Sequence, residues 1–238
     1  MGFDVVRRVN GYPIDFSERD IEICEAVKPF TMTSPERVKA LVNAVEYVVT
    51  NNIEGALVEC GVWRGGSSMA MALTLKQLGE ESRDIYMYDT FSGMSTPTDA
   101  DVSIHGAEAL KELSRARKAN ESSVWCVSPI EEVRQNLRST NYRMDKIHFV
   151  EGKVESTIPE MMPGDIALLR LDTDWYESTK HELIHLYPLL RPNGVLIIDD
   201  YGHWQGARKA VDEYVQENDI RILLNRVDYT GRIGIKTL

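Results

Sequence analysis

Asp172-Thr173-Asp174 and Asp199-Asp200 each close an apolar run of strand length, Leu168 to Leu171 before the first and Val195 to Ile198 before the second. Runs without alternation suit strands buried on both faces of a parallel sheet, and Tyr176 to Leu190 between them has helical spacing. Parallel neighbours deliver their carboxyl ends to one edge, so Asp172, Asp174, Asp199 and Asp200 are expected to converge there. Four carboxylates in one place repel one another unless a cation or a proton intervenes. An all-oxygen set without His or Cys favours a hard cation, Mg²⁺ first, with Mn²⁺ or Ca²⁺ as alternatives. Asp172, Asp199 and Asp200 could supply three ligand oxygens. Asp174 would then be free to act as general base toward a hydroxyl held by the cation. Aspartates at strand ends also serve as helix N-caps, Asp174 before Trp175-Tyr176 especially.

A second constellation lies upstream. The strand Gly55 to Cys60 runs into Gly61-Val62-Trp63-Arg64-Gly65-Gly66-Ser67-Ser68 and then a helical run from Met69 to Leu78, the opening of a nucleotide-binding α/β fold. The next strand, Asp84 to Tyr88, ends in Asp89, placed to accept hydrogen bonds from ribose hydroxyls. Glu59 stands two residues before the first glycine. A carboxylate there repels phosphate but can hold an ammonium. A ligand with a ribose, an amino-acid ammonium and no phosphate suits Glu59 and Asp89 together, and S-adenosylmethionine is such a ligand.

The elements that must position these groups fit one α/β domain. The chain has 238 residues, a formal net charge of −10, and three cysteines, Cys24, Cys60 and Cys126. The acidic balance argues against a nucleic-acid partner, and the sparse cysteines fit a reducing cytosol better than a disulfide framework. Met1 to Asn10 has no signal-peptide core, and no apolar run approaches the roughly 20 residues that span a bilayer. A soluble cytoplasmic protein is expected. Residues 1–30 read as an N-terminal extension with a helix over Ser17 to Val27, and 31–238 as the domain. Ser34 caps a helix with Pro35 at its first position. Met94 to Val124 is long and polar with a helical middle, Ala107 to Ala119, and reads as a surface excursion or a lid. Ile220 to Asn225 and Arg232 to Lys236 are expected to form an antiparallel pair. Trp63, Trp175, Tyr201 and Trp204 fall near the carboxyl edge, where flat rings could line an acceptor pocket.

Five stretches, in order, resemble the macrocin O-methyltransferase family: Met32 to Arg37, Val58 to Ser67, Tyr88 to Gly93, Leu171 to Thr179 and Asp199 to Trp204. The resemblance implies a class I, Rossmann-like S-adenosylmethionine-dependent fold. Its mostly parallel seven-stranded sheet would end in an antiparallel C-terminal strand, with helices on both faces. It also implies metal-dependent methylation of a sugar hydroxyl on a glycosylated antibiotic, with no nucleic acid or membrane partner, by a homodimer or higher oligomer. Carried over by residue, the metal triad falls on Asp172, Asp199 and Asp200, and the base on Asp174. The donor contacts fall on Thr33, Glu59, Gly61, Gly65, Ser67 and Asp89. After the third strand many methyltransferases place Gly-Asp against the adenine, where this chain has Gly152-Lys153. Two rival readings remain, a glycosyltransferase using Asp172-Thr173-Asp174 as an Asp-x-Asp motif, and a donor-binding subunit without turnover.

Overall fold

The computed structural model describes residues 8–9, 11–116, 125–158 and 160–237. Parts of the expected N-terminal extension (1–7 and 10) and the end of the 94–124 stretch (117–124) lie outside the described residues. Seven strands make the main sheet: β1 (Ala56–Cys60), β2 (Ile85–Asp89), β3 (Ile147–Glu151), β4 (Ile166–Leu171), β5 (Leu190–Ile198), β6 (Asn225–Arg226) and β7 (Arg232–Ile235). Their order is β3-β2-β1-β4-β5-β7-β6. The first five strands run parallel, whereas β7 is antiparallel to β5 and β6 to β7. The chain winds outward from β1 to β3 and then returns to β4 on the other side of β1. That reversal opens a crevice at the carboxyl ends of β1 and β4, the place where open α/β sheets take ligands.

The helices are α1 (Glu18–Val27), α2 (Pro35–Thr50), α3 (Gly66–Gln77), α4 (Ala109–Arg115), α5 (Ile130–Ser139), α6 (Val154–Thr157), α7 (Tyr176–Leu186) and α8 (Gln205–Glu217). Alternation along the strands separates two cores. Leu57, Met87, Leu168 and Ile197 pack under α1, α2, α3 and α5, while Val58, Tyr88, Leu169 and Ile198 pack under α7 and α8. α1 is no loose appendage, since its Ile23, Cys24 and Val27 are buried in the first of these cores. Its start is a capping box between Ser17 and Asp20. Ser34 accepts from the Arg37 amide with Pro35 in the first turn, which fixes the start of α2 at the sheet's carboxyl edge.

Two expectations change. Strand pairing near the C-terminus covers only Asn225 and Arg226, not Ile220 to Asn225. Ile220, Ile222 and Leu224 do alternate onto the second core, so the period-two pattern is met by packing without a hydrogen-bonded ladder. The stretch from Met94 to Arg115 is docked rather than an open excursion. Asp101 is 1% exposed, and a small cluster of Ala109, Leu113, Trp175, Trp204 and Ala207 seats α4 on the carboxyl edge.

Candidate active site

Above the β1–β4 crevice lies a cleft of about 210 Å³. Its walls include Thr33, Arg37, Glu59, Gly61, Trp63, Gly66, Ser67, Asp89, Asp172, Asp174, Asp199, Asp200, His203 and Trp204. The expected convergence of the four aspartates is therefore observed. One oxygen from each of Asp172, Asp199 and Asp200 lies within 4.8 Å of the other two. Opposed oxygens around a six-coordinate Mg²⁺ are about 4.1 Å apart, so small rotations would bring this set to ligand distance.

The electrostatics also suit a cation. Glu59, Asp89, Asp172, Asp174, Asp199 and Asp200 are six acids at the cleft, held against two guanidiniums, Arg37 and Arg170. Burial pushes the Asp172 and Asp200 carboxyls well above the usual range; Arg170 opposes it at both, and neighbouring carboxylates add to it. Burial and then the Asp172 carboxylate push Asp174 up to about 7. A cluster this short of positive charge fits a divalent ion through its donor chemistry. Both oxygens of Asp199 already accept from guanidiniums, Oδ2 from Arg37 and Oδ1 from Arg170, so a cation would have to share them.

Asp174 is not a helix cap. α7 begins after Trp175, and its Tyr176 amide donates to Asp101 Oδ1 at 2.7 Å, so the capping role falls to a residue of the docked stretch. The Asp174 backbone instead turns left-handed at φ 66° and its amide reaches Asp200 Oδ2 at 3.3 Å. Asp tolerates that conformation better than most residues, and it keeps the side chain at the cleft rather than over the helix. Below it, Thr173 Oγ1 donates to the wholly buried Glu182 at 2.9 Å.

The donor-side residues are placed as follows. Glu59 is 1% exposed and accepts from Arg170 and Ser68, so it is anchored before any ligand arrives. Asp89 accepts from the Val62, Trp63 and Phe91 amides at 2.6, 3.0 and 2.8 Å, which shapes the glycine loop, and it still borders the cleft. At Gly61 (φ +82°) a Cβ would meet the Asp172 carbonyl oxygen at 1.8 Å, so glycine there permits β1 and β4 to close together. Gly65 is turned away from the cleft, toward Val133 and Leu137 of α5, and Gly66 takes the wall position instead. A smaller hollow of about 60 Å³ adjoins the cleft, bordered by Asp89, Thr90, Gly152 and Lys153.

Of the aromatic set, Trp63 and Trp204 line the cleft. Trp175 is buried edge-on against Trp204 with ring centroids 5.0 Å apart, and the Tyr201 hydroxyl points to Asp212 on α8. Burial pushes the Cys126 thiol up to about 12, and Cys60 is fully buried, so neither reads as a nucleophile. Arg170 and Arg37, whose guanidiniums pair with the cleft acids, are the residues of the site that sequence reasoning did not single out. A charge inside the apolar run Ile166–Leu171 was the available signal, because a buried guanidinium requires acidic partners.

Strand order, crevice and acids together define a class I methyltransferase. The chain belongs to the Macrocin-O-methyltransferase (TylF) family, matched over residues 9–233, and is an O-methyltransferase. It is similar to the 8-demethyl-8-(2,3-dimethoxy-alpha-L-rhamnosyl)-tetracenomycin-C 4'-O-methyltransferase of Streptomyces olivaceus, 35% identical over 84% of this chain and 73% of that protein. The demethyldecarbamoylnovobiocin O-methyltransferase of Streptomyces niveus is 34% identical over 91% of this chain and 83% of that protein. The solved O-methyltransferase NovP superposes with a TM-score of 0.75 at 33% identity, covering 88% of this chain and 83% of NovP. These matches set aside the glycosyltransferase reading.

Proposed function

We propose that the chain methylates a sugar hydroxyl of a glycosylated natural product, using S-adenosylmethionine and a divalent cation, Mg²⁺ or Mn²⁺. The observation that carries this reading is one shared cleft lined both by Glu59 and Asp89 and by the Asp172, Asp199, Asp200 cluster with Asp174. The names of the two Streptomyces relatives, an enzyme of a rhamnosyl-tetracenomycin and one of a novobiocin precursor, support the acceptor class.

When bound, the donor supplies an electrophilic methyl group and the cation lowers the pKa of the acceptor hydroxyl. Asp172, Asp199 and Asp200 are the residues that would hold the cation. Asp174 takes the hydroxyl proton, the role for which a carboxyl poised near neutrality is suited. Glu59 and Thr33 would hold the donor's ammonium end and Asp89 its ribose, and the hollow beside Thr90 and Gly152 would take its adenine. Trp204 and α4 cover the carboxyl edge and keep water from the transfer. Among the described residues no helix is long and apolar enough to cross a membrane.

Calorimetric titration of S-adenosylhomocysteine in Mg²⁺ and in EDTA tests the donor, and a Mg²⁺ titration of the wild type and of Asp199→Asn tests the cation. Heat with S-adenosylhomocysteine, and a Mg²⁺ signal that Asp199→Asn removes, are the expected results. No donor binding in either buffer would overturn the reading.

A further inference from the structure

The sheet register sets Glu59 of β1 level with Arg170 of β4, and Arg170 level with Ile197 of β5. Residues paired across a sheet point to the same face, and that face recurs two residues on. Asp172 follows Arg170 by two and Asp199 follows Ile197 by two, and both amides continue the ladder, to Cys60 O and Leu171 O at 2.9 Å each. Glu59, Arg170, Asp172 and Asp199 therefore rise side by side beneath the start of α2.

Arg170 is 1% exposed and its fork divides between two directions. Nη1 donates to Glu59 Oε1 at 2.8 Å and to Asp172 Oδ2 at 2.7 Å. Nη2 donates to Asp199 Oδ1 at 2.6 Å and to Thr33 Oγ1 at 3.2 Å. One planar group thus bonds two residues on the donor side and two on the cation side. We propose that Arg170 is the positioning residue that joins the two halves, fixing Glu59 and Thr33 against Asp172 and Asp199. The proposal rests on the donor and cation reading given above.

Lysine would keep the charge but offers a compact ammonium that cannot span four oxygens lying in two directions. Arg170→Lys therefore separates geometry from charge. A cross-effect follows as well. In Glu59→Gln the Arg170 charge is left to Asp172 and Asp199 alone and opposes a cation there, although Glu59 is not placed among the cation ligands. Asp89, the other donor-side acid, makes no bond to Arg170, and its replacement controls for charge acting at a distance.

The test measures two affinities that need no turnover: Mn²⁺ alone, from the resonance of the free ion, and S-adenosylhomocysteine alone, by calorimetry in EDTA. Arg170→Lys is expected to weaken each by at least about fivefold, the lower end of ordinary coupling between sites. Glu59→Gln is expected to weaken Mn²⁺ binding by a similar factor, with Asp89→Asn well below it. Arg170→Lys that holds either probe with less than that loss overturns the proposal. So does Asp89→Asn weakening Mn²⁺ as much as Glu59→Gln, a comparison that decides the matter alone if the Lys variant does not fold. Wild-type protein that binds neither probe overturns the donor and cation reading itself, and this proposal with it.

Discussion

Asp174 combines three properties that rarely coincide in a structural carboxylate: left-handed backbone, partial burial among like charges, and a place on the wall of the cleft. Each has an energetic cost, and the group is the natural candidate for the base. Asp174→Asn is expected to lower kcat by about 10²–10⁴-fold, the usual contribution of a positioned base, with donor affinity nearly unchanged. The same variant carries a stability signature. A carboxyl raised to about 7 in the folded protein holds its proton there while the unfolded chain has lost it, so its contribution is present at low pH and fades as pH rises through about 7. In EDTA at pH 8, Asp174→Asn is therefore expected to melt above the wild type, and to lose that advantage only as pH falls to about 4, the ordinary carboxyl range of the unfolded chain. Thermal scans at both pH values check this; a variant no more stable at pH 8 would show that Asp174 is not strained. The acids themselves were legible in the sequence, because strand-terminal Asp pairs on parallel neighbours can only meet. What they bond to was not. Arg170 stood in plain view in Leu168 to Leu171, but its four partners come from β1, β4, the β5 end and the start of α2, and only the three-dimensional register brings those together.

The central strands were readable as unbroken apolar runs buried on both faces, and α2, α5 and α8 by an apolar stripe at helical spacing. The helical middle of the segment between β2 and α5 was readable, but its docking was not, because single polar anchors add to the short Ala109 and Leu113 face of α4. Asp101 accepts from the Thr98 amide and hydroxyl and from the Tyr176 amide, so one side chain both folds its own turn and caps α7. The Ser103 carbonyl accepts from Gln205 Nε2 at 3.0 Å and ties the same segment to α8. Asp101→Ala is expected to destabilise the protein by about 0.5–2 kcal/mol, the range for a lost cap, and to open the 94–116 stretch to protease before the rest of the molecule. Limited proteolysis followed by mass spectrometry would locate the first cut; cleavage elsewhere would show that this segment does not depend on Asp101. Gly61 makes the complementary case for the sheet. Its β1 terminus has no room for a methyl group against the Asp172 carbonyl, so Gly61→Ala must push β4 and its two aspartates outward. Loss of Mn²⁺ affinity in the folded Gly61→Ala protein is the expected outcome.

Charge connects the cleft to the stability of the entire chain. The protein carries a formal net charge of −10, and six of its acids meet at one edge against two guanidiniums. The unfolded chain disperses those acids into water, so the folded state alone gathers the repulsion, and a divalent ion that enters the cluster stabilises only the folded state. At an ion concentration about 100 times Kd that linkage is worth about 2.7 kcal/mol, and for a chain of this size it would raise Tm by about 5–10 °C. Sodium chloride at equal ionic strength screens the exterior but reaches the buried Asp199 and Asp200 and the half-buried Asp172 less well, so it should give a smaller rise. Asp199→Asn changes little volume while altering one proposed cation ligand and the carboxylate that Arg37 and Arg170 share. The expected pattern is a large Tm increase with Mg²⁺ or Mn²⁺ in the wild type, reversed by EDTA, and a small one in Asp199→Asn. Equal increases in both proteins would place the ion on the acidic exterior instead, and would leave the four aspartates held together by their arginines and by protons alone.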